Sequence, residues 1–260
     1  MPRRAPVVPC RVHRRSCLLT LLCLGCHRGS ADRPATVEPA PTPAITRPPY
    51  RALVERIEES RLELAERWSR AADDARKPIE AEARATMQRM LTEILLPAWM
   101  GTRWSFNGTS TEPLGPSGIA CGYFVVTVLQ HLGLQIESRR RFAQSTARTI
   151  ARSLVPDGPS HHRVFSVTAP VLEKTVRSFG EGVHLLGLDV HVGFVVVKPD
   201  AVRVVHASYL NPRTVVDEPI TASGAIEHSR QAGYHVTNLF AGETLVRAWL
   251  SQTPLPLVSS

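Results

Sequence analysis

Cysteine is nearly absent from most of this chain. Of its five cysteines, Cys10, Cys17, Cys23 and Cys26 fall within the first 26 residues, leaving Cys121 alone beyond them. One cysteine makes no internal disulfide framework, so the main body must hold together by packing. Long apolar runs are also missing. The longest near the start, Cys17-Leu18-Leu19-Thr20-Leu21-Leu22-Cys23-Leu24, is far too short to span a bilayer as a stable helix. No acidic residue occurs in residues 1–25, where Arg3, Arg4, Arg11, Arg14 and Arg15 lie. Setting these five arginines aside reduces the formal charge from +8 to +3. That balance is ordinary and excludes nucleic acid as an expected partner. No phosphate-binding glycine loop, internal repeat or compact zinc pattern stands out, so neither a cofactor nor a metal is expected.

What is present divides the chain. Residues 1–26 read as an export signal: a basic segment ending at Arg14-Arg15, the short apolar run, then Gly25-Cys26. Leu24-Gly25-Cys26 resembles the end of a bacterial lipobox. That resemblance implies lipidation at Cys26 and contact with the membrane through the anchor only; His27, in place of the aspartate of inner-membrane retention, favours an outer-membrane lipoprotein facing the periplasm. Residues 27–49 carry Pro34, Pro39, Pro41, Pro43, Pro48 and Pro49 and read as an extended tether. Residues 50–97 read as helical. Leu53, Ile57, Leu64, Trp68 and Ala71 share one face, Lys77-Pro78 marks a break or a new first turn, and Ile79 to Leu95 continue the pattern. This segment packs on the core or offers a coiled-coil surface. Residues 98–260 form the main domain; hydrophobic content of 43% suffices for a core.

Within that domain, Gly115, Pro116 and Gly118 break structure just before Cys121, and the chain from Gly122 to Leu132 is almost wholly apolar. This predicts a turn delivering Cys121 to the first turn of a buried helix. A thiol there sits at the positive end of the helix dipole, which favours thiolate and lowers the pKa. A buried structural cysteine is the plain alternative. Residues 98–120 read as a loop whose Trp99, Trp104, Phe106 and Asn107 line a groove or cover the core. Ser138–Leu154 reads as one basic helix with a solvated arginine face. His161-His162 read as surface loop residues, and Pro170–Phe179 as a short helix. Arg163–Thr168, Val183–Leu188, His191–Val197, Ala201–Ser208, Val215-Val216 and Tyr234–Phe240 read as strands, with Glu243–Leu250 a closing helix.

Cysteine catalysis needs a thiolate, a base within hydrogen-bond reach and a third group that orients the base. Cys121, His191 and His206 supply that order on helix, strand and strand. A turn of two or four residues at Lys198–Ala201 would put both histidines on one sheet face as near-opposite or diagonal neighbours. Asp189, on the His191 side, and Asn211 are alternative orienters; three-way zinc binding by Cys121, His191 and His206 is another use of the same residues. His131 lies ten residues along the helix, about 15 Å away, too far to be the base.

The segment from about Trp104 to Pro219 resembles the papain-like superfamily, in particular the NlpC type of bacterial cell-wall hydrolase. The resemblance rests on Ala120-Cys121-Gly122-Tyr123-Phe124, on His191-Val192-Gly193-Phe194-Val195-Val196-Val197 and on Val205-His206-Ala207-Ser208. The first motif departs from the usual Asp-Cys-Ser-Gly-Phe. The resemblance implies an α+β fold in which a nucleophile-bearing helix packs on an antiparallel sheet, here with an added N-terminal helical segment. It implies hydrolysis of a peptide or amide bond, by default in peptidoglycan peptides. Cys121 would be the nucleophile, His191 the base and His206 the third catalytic residue, with Trp104, Asn107 and Asp189 on the substrate. A non-catalytic envelope lipoprotein that binds peptide or glycan and a thiol acyltransferase are the rival readings.

Overall fold

The structure is a computed structural model, and it describes residues 49–156, 158–165, 167–229 and 233–258. The export segment with Cys26, and the tether up to residue 48, lie outside the described residues. From Tyr50 the chain runs through α1 (Tyr50–Arg70) and α2 (Asp73–Arg89), a π-helical segment at Met90–Leu95, and α3 (Leu96–Trp99). Then come α4 (Cys121–His131), α5 (Arg139–Ala143), α6 (Ala147–Leu154), β1 (His161–Val164) and α7 (Ala169–Ser178). Next are β2 (Gly182–Gly187), β3 (Val192–Val197), β4 (Val202–Ala207) and β5 (Val215–Pro219). Finally α8 (Gly224–His228), β6 (Tyr234–Asn238) and α9 (Thr244–Ser251) close the order. The class is α+β: the six strands form one sheet in the order β1-β6-β2-β3-β4-β5, with every pairing antiparallel.

Both faces of the sheet are covered, which is why β3 is buried along its whole length. Val192, Phe194 and Val196 join one core with α4, α6, α9 and the N-terminal helices; Val195 and Val197 join a second with Leu172, Val176 and Ile226. The alternation of β3 side chains therefore divides two apolar layers rather than core from water. The segment 50–97 shares the first core through Ile57, Leu64, Met87, Leu91 and Leu95.

Burial overrides local preference in α4. Val125, Val126, Thr127 and Val128 are β-branched and weak helix formers, yet all are at most 1% exposed within the helix. Fully burying each large apolar side chain contributes about 1.5–3 kcal/mol, several times the propensity deficit per residue.

Four sequence expectations shift. The break in the N-terminal helices falls at Ala71 and Ala72, both extended, and Pro78 sits inside α2, in its second turn. Trp99 belongs to α3 and is fully buried, its indole N–H donating to the Tyr50 hydroxyl at 2.8 Å. The helix expected over Ser138–Leu154 is two helices, because Thr146 restarts it: its hydroxyl accepts from the Thr149 N–H at 3.1 Å as an N-cap. His161 and His162 open β1 instead of a loop. His161 bonds Thr237 and the Val155 carbonyl, and His162 stacks on Phe179 at 3.7 Å.

Candidate active site

Cys121 is the first residue of α4, with Ala120 at the N-cap offering no side-chain acceptor. The first amides of the helix are therefore unspent. The N–H groups of Cys121, Gly122 and Val192 point at the thiol and favour thiolate, but burial outweighs them and the thiol pKa is pushed up. This reverses the lowering expected from the helix dipole. The dipole is there; the expectation missed the partial burial of Cys121 in the cavity wall.

The residue after Cys121 has to be glycine in this fold. A Cβ on Gly122 would lie 2.0 Å from the Ala143 carbonyl oxygen. The end of α5 is thus pressed against the first turn of α4. Arg139 secures the same corner, donating to the Thr127 hydroxyl at 2.8 Å and to the carbonyls of Ser110 and Thr109 at 2.7 and 3.1 Å. Its guanidinium also lies over the Tyr123 ring. One member of the expected solvated arginine face is therefore a fastener between α4, α5 and the preceding loop.

His191 immediately precedes β3. The β3–β4 register pairs Val197 with Val202 and Phe194 with Val205 across the turn at Lys198–Ala201. Continued by one residue, it sets Gly193 opposite His206, and His191 becomes the diagonal neighbour of His206. The conditional strand argument therefore holds. Gly193 leaves room for the pair: a Cβ there would stand 2.8 Å from the Cβ of His206.

The two rings meet edge to face, with His191 Nε2 and His206 Nδ1 2.7 Å apart. His206 is fully buried, and its Nε2 lies 3.1 Å from Glu218 Oε1. Burial works to raise the Glu218 carboxyl, but the hydrogen bond from His206 and the charge of Arg203 leave it below its ordinary value. Glu218 is therefore a carboxylate and can only accept. With His206 neutral, its Nε2–H donates to Glu218, its Nδ1 accepts, and His191 Nε2–H donates to that nitrogen. The lone pair of His191 then sits on Nδ1. Burial, with a smaller contribution from His206, pushes the His191 pKa down to about 3, so the ring is neutral at physiological pH.

Cys121, His191, Trp104, Asn107 and Asp189 all line one cavity of about 780 Å³. Among the alternative orienters, Asn211 is exposed in the turn after β4, and the His191 Nε2 position is taken by His206, not by Asp189. His131 ends α4 and pairs with the Tyr50 hydroxyl at 2.7 Å, at the far end of the helix from Cys121. Among the described residues no cluster of three or more histidine, cysteine, aspartate or glutamate side chains is arranged to hold a metal.

Two site residues escaped the sequence reading. Tyr209 packs its ring 5.3 Å from His191 and 6.4 Å from Trp104 and lines the cavity. Glu218 lies on β5, diagonal to His206, whose direct partner is Val216. Once β5 is extended beyond Val215-Val216, strand periodicity alone puts an acid at that diagonal; the shorter strand hid it. Comparison of the chain with protein-family models, curated proteins and solved structures finds no match.

Proposed function

We propose that this protein is an exported, lipid-anchored cysteine hydrolase with a papain-like core similar to the NlpC type, cleaving a peptide or amide bond. Peptidoglycan peptides are its default substrate. The observation that carries this reading is the chain of contacts from Glu218 through His206 to His191, which leaves an unprotonated Nδ1 on a histidine lining the cavity that holds the only cysteine beyond Cys26.

In this reading His191 takes the thiol proton as Cys121 attacks the substrate carbonyl, forming the Sγ–C bond. The amides at the start of α4 stabilise the oxyanion. Collapse breaks the C–N bond, and the imidazolium returns its proton to the leaving amine. Water then attacks the thioester with His191 again as base, releasing the acid and restoring the thiol. His206 and Glu218 position the base and its tautomer without touching substrate. Trp104, Asn107 and Asp189 stand where they can meet the substrate.

The raised thiol pKa is the observation that favours a rival, a non-catalytic binding protein in which Cys121 is packing. Cys121→Ser separates the two. The hydrolase reading expects the variant to keep the circular dichroism and melting profile of the wild type and lose hydrolysis of peptidoglycan-derived peptides. A wild-type protein that binds those peptides without turnover, and whose Cys121→Ser variant binds them equally well, supports the rival. The lipid anchor rests on Leu24-Gly25-Cys26, and placement at the outer membrane facing the periplasm on His27, which stands where an inner-membrane retention aspartate would be. Among the described residues no helix is long and apolar enough to cross a membrane.

A further inference from the structure

Tyr209 lines the cavity without a part in the mechanism described above. It follows β4 closely, and the turn that carries it is bonded on both sides. Ser208 Oγ donates to the Leu210 carbonyl and accepts from the Leu210 N–H, both at 3.2 Å. The Leu210 carbonyl also accepts the Arg213 N–H at 2.6 Å, and the Ser208 N–H donates to the Thr214 carbonyl at 2.9 Å. The turn is fastened in its turn to the loop before α4. The Trp104 N–H donates to the Arg213 carbonyl at 2.7 Å, and the Arg213 guanidinium covers the Trp104 ring at 4.8 Å. Arg213 holds a φ of 57° at this fastening point, a left-handed conformation that a non-glycine residue keeps only where its surroundings enforce it. The result is that Tyr209 is held between Trp104 and His191.

A base needs a direction as well as a lone pair. The hydrogen bond to His206 fixes His191 at one atom, Nε2. The outer torsion of an imidazole has a broad minimum, so a single contact leaves the ring free to rock and to swing Nδ1 away. The Tyr209 ring supplies the second contact, its centroid 5.3 Å from that of His191 and its plane inclined by 68°. The His206 ring meets the same imidazole at 83°. Two rings at steep angles, in the edge-to-face geometry that π-systems prefer, clamp the imidazole plane. Trp104 backs the Tyr209 ring at 6.4 Å and 57°.

Resting on the hydrolase reading, we propose that Tyr209 is a positioning residue: its ring, wedged between Trp104 and His191, sets the plane of the base and with it the direction of Nδ1. The ring does this work and the hydroxyl is not required for it. His206 and Tyr209 then divide the task, the first holding an atom and the second holding a plane. Because Trp104 is a wall of the same cavity, the wedge also ties the base to the wall that a substrate would meet.

The test reads iodoacetamide labelling of the Cys121 peptide in the full-length chain by mass spectrometry, at about pH 6, where labelling needs the base, and at about pH 9.5, where the thiol begins to ionise unaided. The ratio of the two rates cancels access to the sulfur, which a missing ring also changes. The titratable and charged groups around the pair are His206, Asp189, Arg213 on the far ring and the Tyr209 phenol. Burial, then the charges of Asp189 and Cys121, hold that phenol above its ordinary pKa, so it stays largely protonated at both readings. Tyr209→Leu should lower the ratio about tenfold, less than the roughly 10²-fold cost of an ångström of misplacement, because His206 still holds Nε2. Tyr209→Met, a second ring-free side chain, should do the same, and both should keep the circular dichroism of the wild type. Tyr209→Phe should restore the ratio to within about twofold of wild type, since the ring suffices. A wild-type ratio in the ring-free variants overturns the proposal. So does a Tyr209→Phe ratio as low as that of Tyr209→Leu, which assigns the effect to the hydroxyl. A further fall on adding Tyr209→Leu to His191→Ala also overturns it, because a positioning residue acts only through its base. His191→Ala alone reads the hydrolase reading separately. An unchanged ratio there removes the base itself, whereas a lowered one beside an unaffected Tyr209→Leu removes the wedge alone.

Discussion

Glu218→Gln is the mildest change that separates a relay from a set of neighbouring side chains. The substitution keeps size and shape but gives the side chain an N–H donor. His206 Nε2 is then free to hold either a proton or a lone pair, and the tautomer of His191 loses its anchor. A hydrogen bond to a charged group contributes about 1.5–3 kcal/mol. The Glu218 side chain is 28% exposed, so water replaces part of that. We take about 1–1.5 kcal/mol as the loss, a fall of roughly 5–15-fold in kcat/KM. His206→Ala removes the whole orienter and strands a buried His191 N–H; losing the right tautomer reaches about 10⁴-fold in serine triads, and we expect about 10²–10³-fold here. The decisive quantity is the double variant. If Glu218 acts only through His206, adding Glu218→Gln to His206→Ala costs nothing further, within about threefold. The assay is kcat/KM on a peptidoglycan-derived peptide, with Cys121 alkylation at pH 7 as a substrate-independent copy. Full activity in Glu218→Gln, or additive losses in the double variant, would refute the relay.

Gly122→Ala should be the most damaging small substitution in the domain, because its Cβ meets the Ala143 carbonyl at 2.0 Å; a melting temperature within 2 °C of wild type, a loss of roughly 0.5–1 kcal/mol or less for a domain of this size, would show that α5 yields freely. Acid should unfold the protein through its buried histidines. His191 and His131 are held near pKa values of about 3 and about 4 against 6.5 unfolded, so the unfolded chain binds more protons as pH falls from 6.5. Each then removes about 1.4 kcal/mol of stability per pH unit until its folded pKa is reached; urea titrations from pH 7 to 4 should show that slope, and His131→Gln should flatten it. Cys26→Ala, expressed in a lipoprotein-competent bacterium, should move the protein from the membrane fraction to the soluble one, and identical fractionation of the two would remove the anchor.

The sheet was readable because valine-rich runs and the Lys198–Ala201 turn outline it; parity with an even-length turn puts His191 and His206 on one face, and the observed register makes them diagonal neighbours. The α4 start was readable because Gly115, Pro116 and Gly118 bracket an apolar run. Other features are tertiary and leave little local trace. Thr146 restarts a helix through one hydroxyl, in a stretch whose composition still reads as continuous helix. Arg139 looks like a solvated arginine until the loop carbonyls of Thr109 and Ser110 are brought to it. Tyr209 acquires a role only when the chain after β4 folds back toward Trp104. The thiol pKa was misjudged for a related reason: the dipole can be read from sequence, but the burial that opposes it comes from β3 and the loops.

The central claim is that His191 acts on Cys121. Iodoacetamide labelling of the Cys121 peptide across pH 4 to 10, in the wild type and in His191→Ala, tests it directly. To act as base, His191 must take the thiol proton against its own low pKa, and the thiolate formed beside it is the charge that would hold the imidazolium. The account predicts wild-type labelling that persists at pH 5–7. In His191→Ala that limb should vanish, leaving only an alkaline rise above the free-cysteine pKa of about 8.5, because burial raises the unassisted thiol. A single transition near the free-thiol pKa, the same in both proteins, would contradict it and leave Cys121 as packing.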